Sequence, residues 1–269
     1  MNYSNFKALR ITVEQGIARM ELQYQGADLE TRELQHSELG EVWRVLDSDP
    51  EVKSVLITGK GDKEFYLSGN PEVESNANVT VNWEVVAWFE RHMQKIVHEM
   101  VAFSKPVVAA VNGAAAGAGL TVVLLSDISI MAEDAYLFDP HIMHGLATGD
   151  GAGGLLPLFV GIAKSKLYLL TSDGLGAKDA DRIGLIGRAV PRKDLMRIAE
   201  DYAHRFAKGP EIAFRFSKRS INQWLKHAAI VAGDHAYALE VASIFSGETN
   251  RGPHTEWPPR RVPEGRRDE

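Results

Sequence analysis

Asp139-Pro140-His141 and, nine residues past the histidine, Asp150 inside Gly-Asp-Gly-Ala-Gly-Gly are the residues of this chain best suited to acid–base work. An imidazole with an ordinary pKa of about 6.5 exchanges protons at neutral pH. A carboxylate that accepts from one ring nitrogen fixes the tautomer and favours the imidazolium formed when the other nitrogen takes a proton from water. Asp150 is the expected partner in that role. Upstream, Val107 to Val111 reads as a strand buried on both faces, and Asn112-Gly113 ends it with turn chemistry. Gly113, Gly117 and Gly119, interleaved with alanines, would let a substrate approach the backbone before Leu120 to Leu125 starts an apolar helix. N–H groups at a helix start attract negative charge, so the polar residues are being held near an anion-binding turn.

Composition narrows what such a site can be. The 269 residues can bury one large core, and 45% hydrophobic content is ordinary for a globular chain. A formal charge of −6 gives no general pull toward nucleic acid or an anionic membrane. There is no cysteine, which excludes disulfides and thiolate catalysis. No HExxH or comparable ligand spacing is present, so no catalytic metal is expected. No apolar run reaches the length of a membrane span and no basic start leads into one, so a soluble, cytoplasmic protein is expected.

The positioning elements follow from periodicity. Leu9-Ile11-Val13 and Ile17 to Leu22 alternate around Glu14-Gln15-Gly16, which predicts a hairpin. Thr31 to Leu46 has helical spacing and stops at Asp49-Pro50; Ser54 to Thr58 reads as a second buried strand. A polar loop leads into FYLSGNP, and a helix is expected from about Trp83 to Phe103. Beyond the central stretch, Leu155–Val160, Lys164–Thr171 and Lys178–Ile183 read as helices, and Arg188–Val190 as a last strand. From Asp194 the pattern is helical, over Leu195–Ala207, Glu211–Lys226 and His235–Phe245. These readings divide the chain into a core over 1–193, a helical region over 194–247 and a proline- and charge-rich tail over 248–269.

The order strand, Asn-Gly, small-residue turn, helix, Ser-Asp strand, Pro-His and GDGAGG resembles the crotonase superfamily, the enoyl-CoA hydratase/isomerase group. KSVLITGKGDKEFYLSGN, KPVVAAVNGAAAGAGLTVVLLSD, LTSDGLGAKDADRIGLIGRAV and FSKRSIN carry the likeness over roughly residues 6 to 247. The resemblance implies an α/β spiral of ββα turns, two sheets with surrounding helices, and a helical C-terminal region. It implies a homotrimer or dimer of trimers, whose contacts would involve the apolar face of the last helix. It also implies reactions that pass through an enolate or tetrahedral oxyanion held by two backbone N–H groups, each worth about 3 to 4 kcal/mol. The matching donors are Asn70, in Ser-Gly-Asn, and Ala118, in the small-residue turn.

The resemblance also shows a departure. Hydratases of this group place one Glu after the glycine turn and one after the proline; this chain has Thr121 and His141 there. A threonine hydroxyl cannot serve as a base near neutral pH. DPH followed by GDG is similar to the β-diketone hydrolase branch, which includes 6-oxocamphor hydrolase and uses a His/Asp pair for retro-Claisen C–C cleavage. His36 and Glu240 match pocket residues of that branch, while its histidine on the small-residue turn has no counterpart here. His144 stands in reserve as a second base. If the substrate is an acyl-CoA, Lys60, Lys63, Lys218 and Arg219 are the candidate phosphate contacts, and coenzyme A would enter as part of the substrate, with no separate cofactor. GAAAGAG resembles a dinucleotide fingerprint only loosely, since no acidic residue is clearly placed at the end of a second strand. Three activities remain open on sequence: hydration of an enoyl thioester, hydrolysis of a C–C bond in a β-dicarbonyl compound, and a non-catalytic binding or scaffolding role if His141 and Asp150 lie far apart.

Overall fold

The computed structural model describes residues 1–23, 29–67, 87, 92 and 94–248. Strand β1 (Leu9–Glu14) pairs antiparallel with β2 (Ile17–Leu22), and the turn between them is Gln15-Gly16, with φ of 52° and 81°. Two positive φ values in a two-residue connection give the twist that a tight hairpin needs. β2 pairs in parallel with β3 (Ser54–Gly59), and the sheet continues through β5 (Val107–Val111), β7 (Ile128–Ala132) and β10 (Arg188–Val190) in the order β1-β2-β3-β5-β7-β10. All five residues of β5 are buried, as expected of a central parallel strand.

A second sheet has the order β4-β6-β8-β9 and is made of β4 (Glu64–Leu67), β6 (Ala114–Ala116), β8 (Tyr136–Phe138) and β9 (Leu175–Gly176). The chain therefore steps from the large sheet to the small one three times: β3 to β4, β5 to β6, β7 to β8. After the second step comes α3 (Ala118–Leu125), and after the third come a 3-10 turn (His141–His144) and α4 (Ala152–Thr171). This is the α/β spiral of ββα turns. Asn112 sets one of the steps, its side chain accepting from Gly59 N–H at 3.0 Å and donating to the carbonyls of Gly59 (2.8 Å) and Gly61 (2.7 Å).

The remaining helices are α1 (Leu29–Ser48) and α2 (Lys95–Ala102) before the centre, then α5 (Ala177–Arg182), α6 (Arg192–Lys208), α7 (Glu211–Ala228) and α8 (Asp234–Ile244) after it. A π turn over Ala229–Gly233 joins α7 to α8. The expected Trp83–Phe103 helix is represented by α2; most of its first half, like Asn70 and residues 249–269 of the tail, lies outside the described residues. α6 buries Leu195, Ala199 and Ala203 as it crosses β3, β5 and β7. α3 is buried at every position, which explains why it shows no amphipathic stripe in the sequence.

One expectation about the small residues is corrected. Gly119 is glycine because a Cβ there would overlap the carbonyl of Tyr66 in β4, so protein backbone rather than a substrate occupies that space. A second correction concerns α4, which at 20 residues is long and apolar enough to cross a membrane by length and composition. Its backbone is non-helical at Gly161 (φ 74°, ψ 164°), and Leu155 and Leu156 pack into the core. An interruption of that kind in a lipid-facing span would leave backbone groups without partners; here the first turns of the helix sit in the core, while Leu158, Ile162, Leu167 and Leu170 are exposed.

Candidate active site

His141 is the third residue after β8 and opens the 3-10 turn; Pro140 precedes it at φ −88°. Asp150 lies on the loop between that turn and α4, next to Gly151 at φ 98°, a left-handed conformation that a branched residue would resist. Glu240 arrives from α8. Thus residues about a hundred positions apart converge. His141 Nε2 stands 3.5 Å from Asp150 Oδ2 and 3.3 Å from Glu240 Oε1, and all three side chains are buried.

The hydrogen bond expected from Asp150 to the orienting ring nitrogen is made by another residue. Asp139 Oδ1 lies 2.8 Å from His141 Nδ1 and also accepts from His141 N–H at 3.1 Å. Its position two residues before the histidine is the reason, because an Asp side chain readily accepts from the backbone two residues on. That local signal was present in Asp-Pro-His and was missed. Asp150 sits at the opposite nitrogen, on the side where proton exchange would occur.

Electrostatics here are under strain. Burial disfavours a charged His141, but Asp139, Asp150 and Glu240 together hold its pKa well above the ordinary imidazole range. Glu240 is pushed up to about 7, first by burial and then by the charge of Asp150, against the pull of His141. His144 lies on the same turn, half-buried, and moves the other way: burial first, and the charge of His141 second, lower it. It is less suited to hold a proton than His141.

The surroundings lock the cluster in place. Thr121, fully buried in α3, donates its hydroxyl to the carbonyl of Asp150, so it grips the loop instead of presenting itself to a ligand. A Cβ on Gly149 would overlap the Glu240 carboxylate, so α8 approaches this loop as closely as chain geometry allows. Ala118, buried, is the first residue of α3 and lies at the positive end of that helix. A hollow of about 10 Å³ beside Asp150, bordered by Val97, Gly149, Gly151 and Tyr237, has about the room of one water. A larger cleft of about 680 Å³ runs along β1 and the N-terminal residues, and contains no member of the cluster.

The other candidates separate clearly. His36 is buried, with its Nδ1 2.7 Å from the hydroxyl of Tyr66, and so braces β4, whose Tyr66 carbonyl abuts α3. Lys218 is not placed to meet a phosphate: its ammonium is buried, donates to Asp127 Oδ2 at 2.7 Å and to the Lys105 carbonyl at 2.8 Å, and lies over the Phe103 ring. Lys60, Lys63 and Arg219 are exposed. His141, Asp150 and Glu240 offer ligand atoms within 4.8 Å of one another, and these are donor types that a divalent cation accepts.

The fold and this pocket of acids around an imidazole can now be set beside known proteins. The model of the enoyl-CoA hydratase/isomerase family matches residues 12–254, and the chain belongs to that family. A crotonyl-CoA hydratase of Syntrophomonas wolfei is 31% identical over 189 residues, 70% of this chain and 71% of that protein. Among solved structures, an enoyl-CoA hydratase/isomerase from Mycobacterium paratuberculosis superposes with a TM-score of 0.81 at 29% identity, covering 91% of this chain and 96% of that one. A β-diketone hydrolase from the cyanobacterium Anabaena, bound to (S)-3-oxocyclohexyl acetic acid, superposes with a TM-score of 0.79 at 24% identity over 91% of this chain and 96% of that one, a likeness of fold.

Proposed function

We propose that this enzyme activates a water molecule through His141 and Asp150 and delivers it to a substrate whose carbonyl oxygen turns into an oxyanion, held by the N–H of Ala118 and a donor near Asn70. The observation that carries this reading is the meeting of His141 Nε2 with Asp150 and Glu240 at 3.5 and 3.3 Å in a buried site. The family and its relatives support an acyl thioester or a related carbonyl compound as substrate, with coenzyme A as part of the substrate and no separate cofactor.

Between the two water-using reactions, the side chains favour C–C hydrolysis. Thr121 supplies no acid, and its hydroxyl is already donated to the Asp150 carbonyl. In the hydrolytic path, Nε2 takes a proton from water as the water oxygen bonds to one carbonyl carbon of a β-dicarbonyl. The tetrahedral oxyanion then collapses and the bond between that carbon and its neighbour breaks. The electron pair passes into an enolate, which receives the proton back from Nε2 to give a ketone and a carboxylic acid. In hydration, the same water would attack an alkene carbon of an enoyl thioester. Exposed Phe216, Ile221 and Trp224 on α7 support a homo-oligomer, the trimer or dimer of trimers expected above.

The test is a product analysis with crotonyl-CoA and with cyclic β-diketones, preceded by native mass spectrometry for binding of each. Oxygen-18 from labelled water should enter a carboxylate product, and turnover should survive EDTA. Rapid formation of hydroxybutyryl-CoA with no diketone cleavage would replace hydrolysis by hydration; no turnover of either class, with ligand binding retained, would favour the scaffolding role.

A further inference from the structure

We propose that Asp139 is a positioning residue that commits His141 to work through Nε2. This deepens the reading above and rests on it for its catalytic consequence, though not for its geometry. An imidazole offers two nitrogens and, when neutral, one proton; which nitrogen carries it is decided by the partner of the other. Asp139 Oδ1 collects three donors: His141 Nδ1 at 2.8 Å, His141 N–H at 3.1 Å and the Thr148 hydroxyl at 3.3 Å. Only one of those is the ring. The other two hold the carboxylate in place whichever way the ring titrates.

The placement is rigid for reasons that the sequence supplies. Asp139 is 1% exposed and follows directly on the end of β8, so its backbone is fixed by the small sheet. Pro140 then restricts the chain between the carboxylate and the imidazole. A carboxylate at neutral pH only accepts hydrogen bonds, so Nδ1 must be the donor. The neutral ring then has its lone pair on Nε2, where Asp150 and Glu240 stand. Two ionised carboxylates facing a lone pair repel it. The resting cluster is therefore settled by a proton on that side, carried by Nε2 or by one of the two acids.

Two expectations follow for the reaction. Nε2 becomes a base when its proton has passed to Asp150 or Glu240, or has left, so the charged groups that control it are Asp139 from the β8 end, Asp150 from the loop, Glu240 from α8 and His144 from its own turn. Asp139 sets which nitrogen acts, while the other two set when it acts. Without Asp139 the ring would be free to place its proton on Nε2 in the neutral form, and the working nitrogen would have no lone pair with which to take a proton from water.

The experiment uses the full chain, treated with EDTA and labelled with nitrogen-15 at histidine, with the His141 signals assigned by their loss in His141→Gln. In the parent protein, Nδ1 should stay protonated across the titration. Asp139→Ala should lose that preference, giving a mixture of tautomers, and should lower kcat roughly a hundredfold with KM nearly unchanged. Asp139→Asn keeps an oxygen that accepts from Nδ1–H but removes the charge. It should retain the tautomer, titrate His141 at lower pH than the parent and recover most of the lost rate; it also serves if the alanine variant does not fold. An unaltered tautomer and titration in a folded Asp139→Ala, or in Asp139→Asn no change in midpoint, would overturn the inference. If the ring responds as expected but neither crotonyl-CoA nor a β-diketone is turned over, positioning by Asp139 stands and the proposed reaction falls.

Discussion

Two buried polar clusters in this chain, at opposite ends of its chemistry, make an instructive pair. Around Lys218 and Lys105, every ammonium has found a partner: Lys218 meets Asp127 and a carbonyl, and Lys105 donates to the carbonyls of Leu46 (2.6 Å) and Asp49 (2.7 Å). Asp127 Oδ2 also accepts from Val107 N–H at 2.7 Å, which ties α7 to the start of β5. Around His141, by contrast, three carboxylates crowd one imidazole, and Asp139 Oδ2 and Glu240 Oε2 are buried without a hydrogen bond among the described residues. Burial of like charges is costly, and a fold retains such an arrangement where the displaced proton affinities are used. A saturated cluster holds elements together; an unsaturated one holds a proton at the ready.

That contrast is broken most sharply by removing the imidazole. His141→Ala or Asp150→Asn should lower the rate per folded molecule by about 10²- to 10⁴-fold. The double variant should be little slower than the slower single variant, because residues that act as one unit do not add. Multiplicative losses in that cycle would return both residues to independent roles.

The structural cluster should show the opposite pattern. Lys218→Met removes the cation between Asp127 and the Lys105 carbonyl, and should cost about 3 kcal/mol of stability on the scale of broken buried ion pairs. Turnover per folded molecule should hold. Denaturant unfolding together with rate measurements well below the midpoint would check both halves; an active-site defect without loss of stability would erase the distinction.

The smallest effect is a pH dependence. Glu240 titrates near 7 when folded, above its ordinary value, so the folded form binds its proton more tightly than the unfolded chain does. Its contribution is then full at pH 4 and is lost as pH rises through about 7, and the raised His141 runs in the same direction. Glu240→Gln should flatten the fall in melting temperature between pH 5 and pH 8 by a few degrees. An unchanged slope would show that Glu240 does not titrate there.

Much of the large sheet was legible because its strands alternate or run apolar for five or six residues, and α6 because its stripe faces the core; α7 was legible by its period although it turns Phe216, Ile221 and Trp224 outward. The small sheet was not. Ala114–Ala116 reads as a turn because three small residues have no period, and its strand character comes from neighbours in β4 and β8. His141 and Asp150 could be singled out by residue type and by family resemblance, but which oxygen meets which nitrogen is a matter of three dimensions. Lys218 misled for the same reason: a lysine on an amphipathic helix looks solvated until the packing of α7 against the core is known. The Asx-type contact of Asp139 was the one missing piece that the sequence could have supplied.

The contact between Gly149 and Glu240 also bears on timing. A chain made from its N-terminus finishes both sheets, the small-residue turn, His141 and Asp150 well before residue 240 exists. Until α8 emerges and seats Glu240 on the glycine, the acid cluster is one carboxylate short and the loop that carries Asp150 lacks its outer wall. A nascent or truncated product ending in α7 would hold α3, His141 and Asp150 and lack the third acid of the cluster. In this molecule the cluster closes late in synthesis, after the scaffold that it depends on has had the chance to fold.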